Sequence, residues 1–395
     1  MNHPAPLPEL TLPPLLSPRY VDTRPFNPAE ERMPSGDEAY YRASTLTLMW
    51  AKFKRNKMAV ISLFVLLFAY GSLAVIEMLA PYTAVKRHGD HLYAPPQGVH
   101  LFHKGEFQGP FVYPYAFKFN METFKREYVI DETKPQPIRF FCRADSYDFF
   151  GVSGVDFHLV CPPAGGTMFV LGTDKLGRDL FSRIIYGARV SLTVGLVGIA
   201  ISFIIGLTLG GLAGYLGGWV DAVVQRMIEI LRSLPELPLW LALSAAVPPN
   251  WSPLTVFLAI TVILGFLDWP GLARAVRSKL LALREEDFVR AAELAGASKT
   301  RIIARHLVPN FMSHLIASAT LSIPSMILGE TALSFLGLGL RPPVTSWGVL
   351  LNDAQNLASV NLYPWLLTPM VPVIIVILAF NFVGDGLRDA ADPYH

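Results

Sequence analysis

Side chains able to do chemistry are few in this chain, and most have an ordinary explanation. His88, His91, His100 and His103 form two HxxH pairs within HGDHLYAPPQGVHLFH, a spacing at which imidazoles can share a zinc ion. The APP run from Ala94 to Pro96 breaks any helix that would align them, so the pairs read as a His-rich loop and no metal is assigned. The two cysteines, Cys142 and Cys161, are too few for a disulfide framework but enough for one bridge; two free buried thiols are the alternative. Glu77, Glu229, Asp268 and Glu330 fall in or near apolar stretches, where an ionisable group is by default a functional candidate. The first three lie close enough to the ends of those stretches to reach an interface. Glu330, in GETALSFLGLGL, is deeper, with no second acid at helical spacing to make a proton relay. Neither HExxH nor GxxxxGK[ST] occurs, so zinc hydrolysis and ATP binding are not expected of the chain itself.

A different chemistry, that of docking, is concentrated in DFVRAAELAGASKTRIIARHLVPN, Asp287 to Asn310. A helix from about Glu285 to Ala295 puts Phe288, Ala291, Ala292 and Ala295 on one face. The alanines keep that face narrow enough to enter a cleft. Gly296 suits the left-handed stop after such a helix, and Ser298 is placed to cap a second helix, Lys299 to Leu307, that ends before Pro309. Arg290 and Glu293 flank the small face. The segment therefore reads as a rigid knob for helix-in-groove recognition. A headgroup-bound amphipathic helix would carry larger apolar side chains at the centre of its face.

The elements that position this knob are those of a membrane protein. Of 395 residues, 52% are hydrophobic and 16% charged, the mean hydropathy is +0.39, and typical soluble domains carry about 25% charged residues. Six stretches are long and apolar enough to span: Met58–Ala80, Val190–Ala213, about Ala222–Val247, Pro253–Trp269, His314–Leu338 and Tyr363–Val383. The third is the weakest, with Arg226, Glu229 and Arg232 near its start and Pro235 and Pro238 within it. Gly206, Gly210 and Gly214, four apart, form a stripe for close helix packing. Lys52, Lys54, Arg55 and Lys57 precede the first span, and Arg274, Arg277, Lys279, Arg284, Arg290, Lys299, Arg301 and Arg305 fill the loop after the fourth. The expected fold is thus an all-α integral membrane protein with six transmembrane helices, both termini inside and the basic loop in the cytoplasm. Residues 1–45 read as a disordered Pro-rich tail, 46–80 as an N-terminal segment with span one, 81–170 as a long, aromatic extracytoplasmic insertion able to form short strands, and 171–395 as the core carrying the 285–310 loop.

RAAELAGASKTRIIARHLVPN resembles the EAA motif of binding-protein-dependent ABC importer permeases. Ala291, Ala292, Gly296, Val308 and Pro309 are in register, while Arg290 stands where the family has Glu and His306 where it has Ile. KFKRNKMAVISLFVLL with LAPY resembles the start of dipeptide/oligopeptide permeases, and LGTDKLGRDLFSRIIYGARVSLTVGLVG, GETALSFLGLGLRPPVTSWGVLLNDA and GDGLRDAADP are similar as well. The resemblance covers about 45–96 and 165–395 and points to the C-type subunit of the peptide/opine/nickel branch; the stretch from about 97 to 164 exceeds the usual short loop.

The resemblance implies a permease subunit of an ATP-driven importer that moves peptides or similar small solutes into the cytoplasm. It implies a heterodimer with a homologous permease, two ABC ATPase subunits that receive the 287–309 loop, an extracytoplasmic solute-binding protein, and a place in the lipid of the bacterial inner membrane. The coupling residues it implies are Arg290, Ala291, Ala292, Glu293, Ala295, Gly296 and Pro309. The chain is then no enzyme and needs no cofactor, since ATP and Mg belong to partner subunits; nucleic acid is not an expected partner. Glu330 is the candidate for the translocation path. Oligosaccharides, opines or nickel chelates are alternative cargoes. A secondary transporter is the alternative class, and the chain shows neither the repeats nor the paired midplane charges that class uses.

Overall fold

The computed structural model describes residues 45–121, 125–149, 151–248 and 250–391. The chain divides into a unit of residues 1–48 and a unit of residues 49–395. The tail expected over 1–45 lies, apart from Thr45, outside the described residues.

Helix α1, Thr45–Phe53, is followed by α2, Lys57–Ser72, whose start is capped by the Asn56 side chain accepting from Ala59 N. A 3-10 turn and the short α3, Ile76–Leu79, extend this apolar stretch. Residues 100–161 form antiparallel hairpins: β1 (His100–His103) pairs with β2 (Glu106–Val112), β3 (Tyr115–Asn120) with β4 (Lys125–Ile130), and β6 (Arg139–Phe149) with β7 (Val152–Cys161). The two-residue β5, Gln136–Pro137, adds to β2. Cys142 and Cys161 are joined by a disulfide, with Cα atoms 6.4 Å apart. His158, fully buried, has one ring nitrogen 2.8 Å from the Ala80 carbonyl and the other 2.8 Å from that of Asp145, tying β7 to the end of α3.

The remaining helices are α4 (Leu180–Leu216), α5 (Gly218–Ser233), α6 (Glu236–Ala245), α7 (Pro253–Leu283), α8 (Asp287–Leu294), α9 (Lys299–Ile302), α10 (Val308–Asn310), α11 (Met312–Phe335), α12 (Trp347–Asn352), α13 (Leu357–Leu362) and α14 (Met370–Ala391). Among the described residues, five helical stretches are long and apolar enough to cross a membrane: 57–79, 180–216, 253–283, 312–335 and 364–391. The span expected over 222–247 is not a single helix. Leu234 is extended and Pro235 follows it, so the segment breaks into amphipathic α5 and the ten-residue α6. Pro235 and Pro238 lack the N–H groups that would carry a helix through. The fourth span runs on from Trp269 to Leu283, because Pro270 is accommodated within α7.

Contact positions along the helices give their relative directions. A Cβ on Gly206 would meet Leu272, one on Gly210 would meet Ala273, and one on Gly214 would meet Arg277. Position rises along both helices together, so α4 and α7 are parallel. Helix α11 runs the other way, since Gly195 faces Ile327 while Gly187 lies against Trp347 beyond its end. Helix α14 is antiparallel to α2: Gly386 approaches Phe53 and Ala59, whereas Phe380 meets the Tyr70 ring. The starts of α2 and α11 and the ends of α4, α7 and α14 therefore share one end of the bundle.

At the opposite end, the LGTDKLGRDLFSR stretch forms a buried ionic clamp. The Asp174 carboxylate accepts from Arg178 Nε at 2.7 Å, from Arg183, and from the backbone N–H groups of Leu176 and Arg178. Asp353 lies 3.9 Å from Arg183 and 2.8 Å from Lys175, which joins the segment after α12 to the same network. The Arg189 guanidinium is bidentate on Glu77, 2.6 and 3.0 Å, and fixes α3 against α4.

Candidate functional site

The Asp287–Asn310 segment is built onto the end of the bundle that carries the α2 and α11 starts. Glu286 is extended and opens α8, which is shorter at both ends than the helix expected over 285–295. The turn closes when Ala295 N donates to Ala291 O (3.0 Å) and Gly296 N to Glu293 O (2.9 Å). Gly296 has φ +79°, a left-handed conformation that costs a residue with a Cβ but not glycine. Ser298 then leads into α9, its Oγ accepting from Arg301 N at 3.4 Å. The second helix expected over 299–307 is not regular: α9 gives way to a π-helical turn, Ile303–Leu307, before α10. Pro309, in α10, cannot donate backward, and the wider turn just before it absorbs the missing bond.

Packing fixes how the knob sits. Val289, Ile302, Leu307, Phe311 and Leu315 are buried together with Tyr215 of α4 and Leu272, Val276 and Leu280 of α7. The Tyr215 hydroxyl donates to Glu293 Oε1 at 2.8 Å. The pair α8–α9 is thereby held on the ends of three long helices.

The outward face differs in one residue from the face read off the sequence. Phe288, Ala291 and Ala295 are exposed, but Ala292 is half-buried and packs against the cluster that holds Val289. Leu294, not anticipated, is 90% exposed. A fully exposed leucine next to two alanines is an apolar patch without a cover; it was missed because Leu294 belongs to neither the alanine spacing nor the glycine stop. Arg290 is also on the outside, 3.2 Å from the equally exposed Glu285, a pair that solvent makes weak. Glu293 points the other way, to Tyr215. Sequence spacing holds no signal for that contact.

Glu330 belongs to a different arrangement. It is fully buried in α11 and accepts hydrogen bonds from Ser191 (3.1 Å), Ser334 (2.8 Å) and Ser346 (2.7 Å). Three hydroxyls from α4, α11 and the start of α12 enclose it, so its surroundings favour an anchor for three elements over a group on a path. The histidines are likewise occupied by packing: His88 and His91 lie edge-on and tilted against Phe169, and His100 and His103 pack about Phe111 and Tyr113. Burial pushes the imidazoles of His88 and His91 below the usual histidine range. Among the described residues, no three metal-ligating side chains come together.

The sequence is similar to those of known proteins. Residues 206–394 match the family described as binding-protein-dependent transport system inner membrane component, and residues 44–96 match the N-terminal transmembrane domain of oligopeptide transport permease C. The dipeptide transport system permease protein DppC of Alkalihalophilus pseudofirmus is 41% identical over 223 residues, 56% of this chain and 71% of that protein. The oligopeptide transport system permease protein OppC of Haemophilus influenzae is 42% identical over 223 residues, 56% of this chain and 69% of that protein. A solved structure of the MetNI methionine ABC transporter in an inward-facing conformation aligns with TM-score 0.42 and 19% identity, covering 53% of this chain and 97% of that one.

Proposed function

The chain belongs to the family of inner-membrane components of binding-protein-dependent transport systems, and from that premise we propose that it couples ATPase movement to its own long helices through the exposed face of α8. It is a permease subunit of an ABC importer, a transport component rather than an enzyme. The observation that carries the coupling role is the knob itself: an apolar face of Phe288, Ala291, Leu294 and Ala295 stands open, while the opposite side is locked into the ends of α4, α7 and α11. A rigid body with one free face and one fixed face transmits a push.

Two ATPase subunits, holding ATP and Mg, take the α8 faces of this chain and of a homologous permease partner. A solute-binding protein delivers cargo from the other side. Peptides are the cargo class, from the relatives described as dipeptide and oligopeptide permeases; opines, oligosaccharides and nickel chelates are the neighbouring possibilities.

Six crossings with both termini inside fit the helix directions better than five. Helices α4 and α7 are parallel, so the chain between Leu216 and Pro253 returns across the bundle, through α5 and α6. Lys52, Lys54, Arg55 and Lys57 share an end with Arg274, Arg277 and Lys279, which by the positive-inside rule is cytoplasmic. The hairpins of 100–161 then lie outside, where a disulfide persists.

Replacing exposed Ala291 with Trp fills the space a cleft would need without touching the buried side. Ala291→Trp is expected to reach the membrane at normal abundance and to lose its ATPase subunits on co-purification; retention of those subunits at wild-type stoichiometry would rule the α8 face out.

A further inference from the structure

The break between α5 and α6 puts charge where lipid does not tolerate it. Arg232 through Pro238 are all exposed. Arg232 Nη1 donates to Glu236 Oε1 at 3.4 Å, and the Asp268 carboxylate of α7 lies within electrostatic reach of both. The depth of this group is set by α7. Arg232 reaches the backbone of Gly271, where an added Cβ would lie 3.1 Å from its Nη2. Gly271 is one helical turn, and Asp268 two turns, to the apolar side of Arg274, the first residue of the basic belt. Ionisable side chains at such a level face a protein interior or a water-filled cavity. The backbone tells the same story independently: an interrupted helix at membrane depth persists only where protein or water receives its open polar groups. Residues 232–238 stay exposed among the described residues.

We infer that the α5–α6 break lines the aqueous route through the membrane, and that Arg232, Glu236 and Asp268 form a polar station for a zwitterionic, peptide-like solute. Arg232 receives the carboxylate of the solute, and the two acids receive its amino group. This rests on the reading of the chain as an importer permease. A dry interface with the permease partner is the competing occupant of the same surface.

Thiol accessibility separates the two, and the chain is suited to it because both cysteines of the sequence are held in the disulfide. Ser233, whose exposed hydroxyl bonds to Ile230 O of its own helix, is replaced by Cys in the complete transporter reconstituted in vesicles. Phe68→Cys, on the uncharged outer face of α2 and 77% exposed, is the control. The probe is a membrane-impermeant sulfonatoethyl methanethiosulfonate. Ser233→Cys is expected to react faster than Phe68→Cys by roughly an order of magnitude, since only the former meets water; Glu236→Cys serves if the first variant does not assemble. Arg232→Gln is expected to raise the KM for trialanine uptake several-fold, and Arg232→Lys to restore it in part. Equal reactivity at the two thiols, or an unchanged KM in Arg232→Gln, overturns the inference. Absence of trialanine uptake by the wild-type transporter counts against the peptide-importer reading instead, and thiol reactivity still decides this one.

Discussion

The Tyr215 hydroxyl donates to the Glu293 carboxylate across 2.8 Å, joining the last turn of α4 to α8 over 78 residues of sequence. It is the polar contact within an otherwise apolar seat formed by Val276, Leu280, Val289 and Ile302. Hydrogen bonds to charged groups contribute about 1.5–3 kcal/mol, enough to decide whether α8 moves with α4 or slips against it. Tyr215→Phe keeps the ring in the cluster and removes only this bond. It is expected to bind its ATPase subunits normally while hydrolysing more ATP per solute imported. Glu293→Gln still accepts from the tyrosine and is expected to do less harm. Equal coupling ratios in wild type and Tyr215→Phe would show the bond to be dispensable.

The clamp at the opposite end is expected to be a stability element. Asp174 is almost wholly enclosed, as is Arg183, and breaking a buried ion pair by removing one partner costs about 3–5 kcal/mol because the other charge stays behind. Asp174→Ala strands both Arg178 and Arg183. A large drop in the thermal unfolding midpoint of the detergent-solubilised protein is expected, greater than for Lys175→Ala, whose half-exposed partnership with Asp353 solvent already weakens.

Two neighbouring glycines of α4 separate close packing from mere smallness. A Cβ on Gly210 would stand 2.5 Å from the Ala273 carbonyl oxygen and 2.8 Å from its Cα, both backbone atoms of α7, whereas one on Gly211 meets only Leu280 Cδ1 at 4.0 Å. Overpacking typically costs about 1–3 kcal/mol, and more where backbone must move. Gly210→Leu is therefore expected to abolish assembly or lower the unfolding midpoint sharply, and Gly211→Ala to match wild type. Comparable behaviour of the two variants would remove the glycine stripe from the α4–α7 interface.

How far the residues announced this structure depends on the range of the force involved. The long apolar helices, the stop at Gly296 and the cap at Ser298 follow from local periodicity and backbone preference, and they were legible. Pro235 and Pro238 foreshadow the broken third span, but the apolar average over 222–247 masks them. Spacing alone puts Ala292 on the outer face, whereas Val289, a bulky apolar residue on the other side, decides which way the helix turns. Ser191 and Ser346 on Glu330, the bridge from His158 to Ala80 and the Tyr215–Glu293 bond join residues 16 to 139 positions apart, and no pattern within a window of one or two turns contains them.

The disulfide closes a loop with a sequence separation of 19 between β6 and β7. A bridge over a loop of that order stabilises by roughly 3 kcal/mol in the chain-entropy account. Because this hairpin is tied to α3 through His158, its loosening is expected to stay local. Cys142→Ser with Cys161→Ser should speed hydrogen exchange in residues 139–161 and leave the α4 and α7 amides unchanged. Faster exchange in those helices would mean that the hairpin supports the bundle itself.

Asp179, which caps the start of α4, introduces a dependence on pH. Its Oδ2 accepts from Ser182 N (2.7 Å) and from Ser182 Oγ (2.6 Å), while Oδ1 is buried with no partner among the described residues. Burial pushes its carboxyl up to about 7 from an ordinary value of 3.8, against the opposing pull of the Ser182 hydrogen bonds. With the folded value above the unfolded one, the folded state holds the proton more tightly between the two. The stabilisation is complete below about pH 3.8 and is lost as pH rises through about 7. Asp179→Asn still offers an oxygen to Ser182 N but carries no charge at any pH. The unfolding midpoint of the wild type is expected to fall, relative to that of Asp179→Asn, as pH is raised across this window, and to run parallel to it above. Parallel profiles throughout would mean that Asp179 ionises at an ordinary value and that water reaches the start of α4.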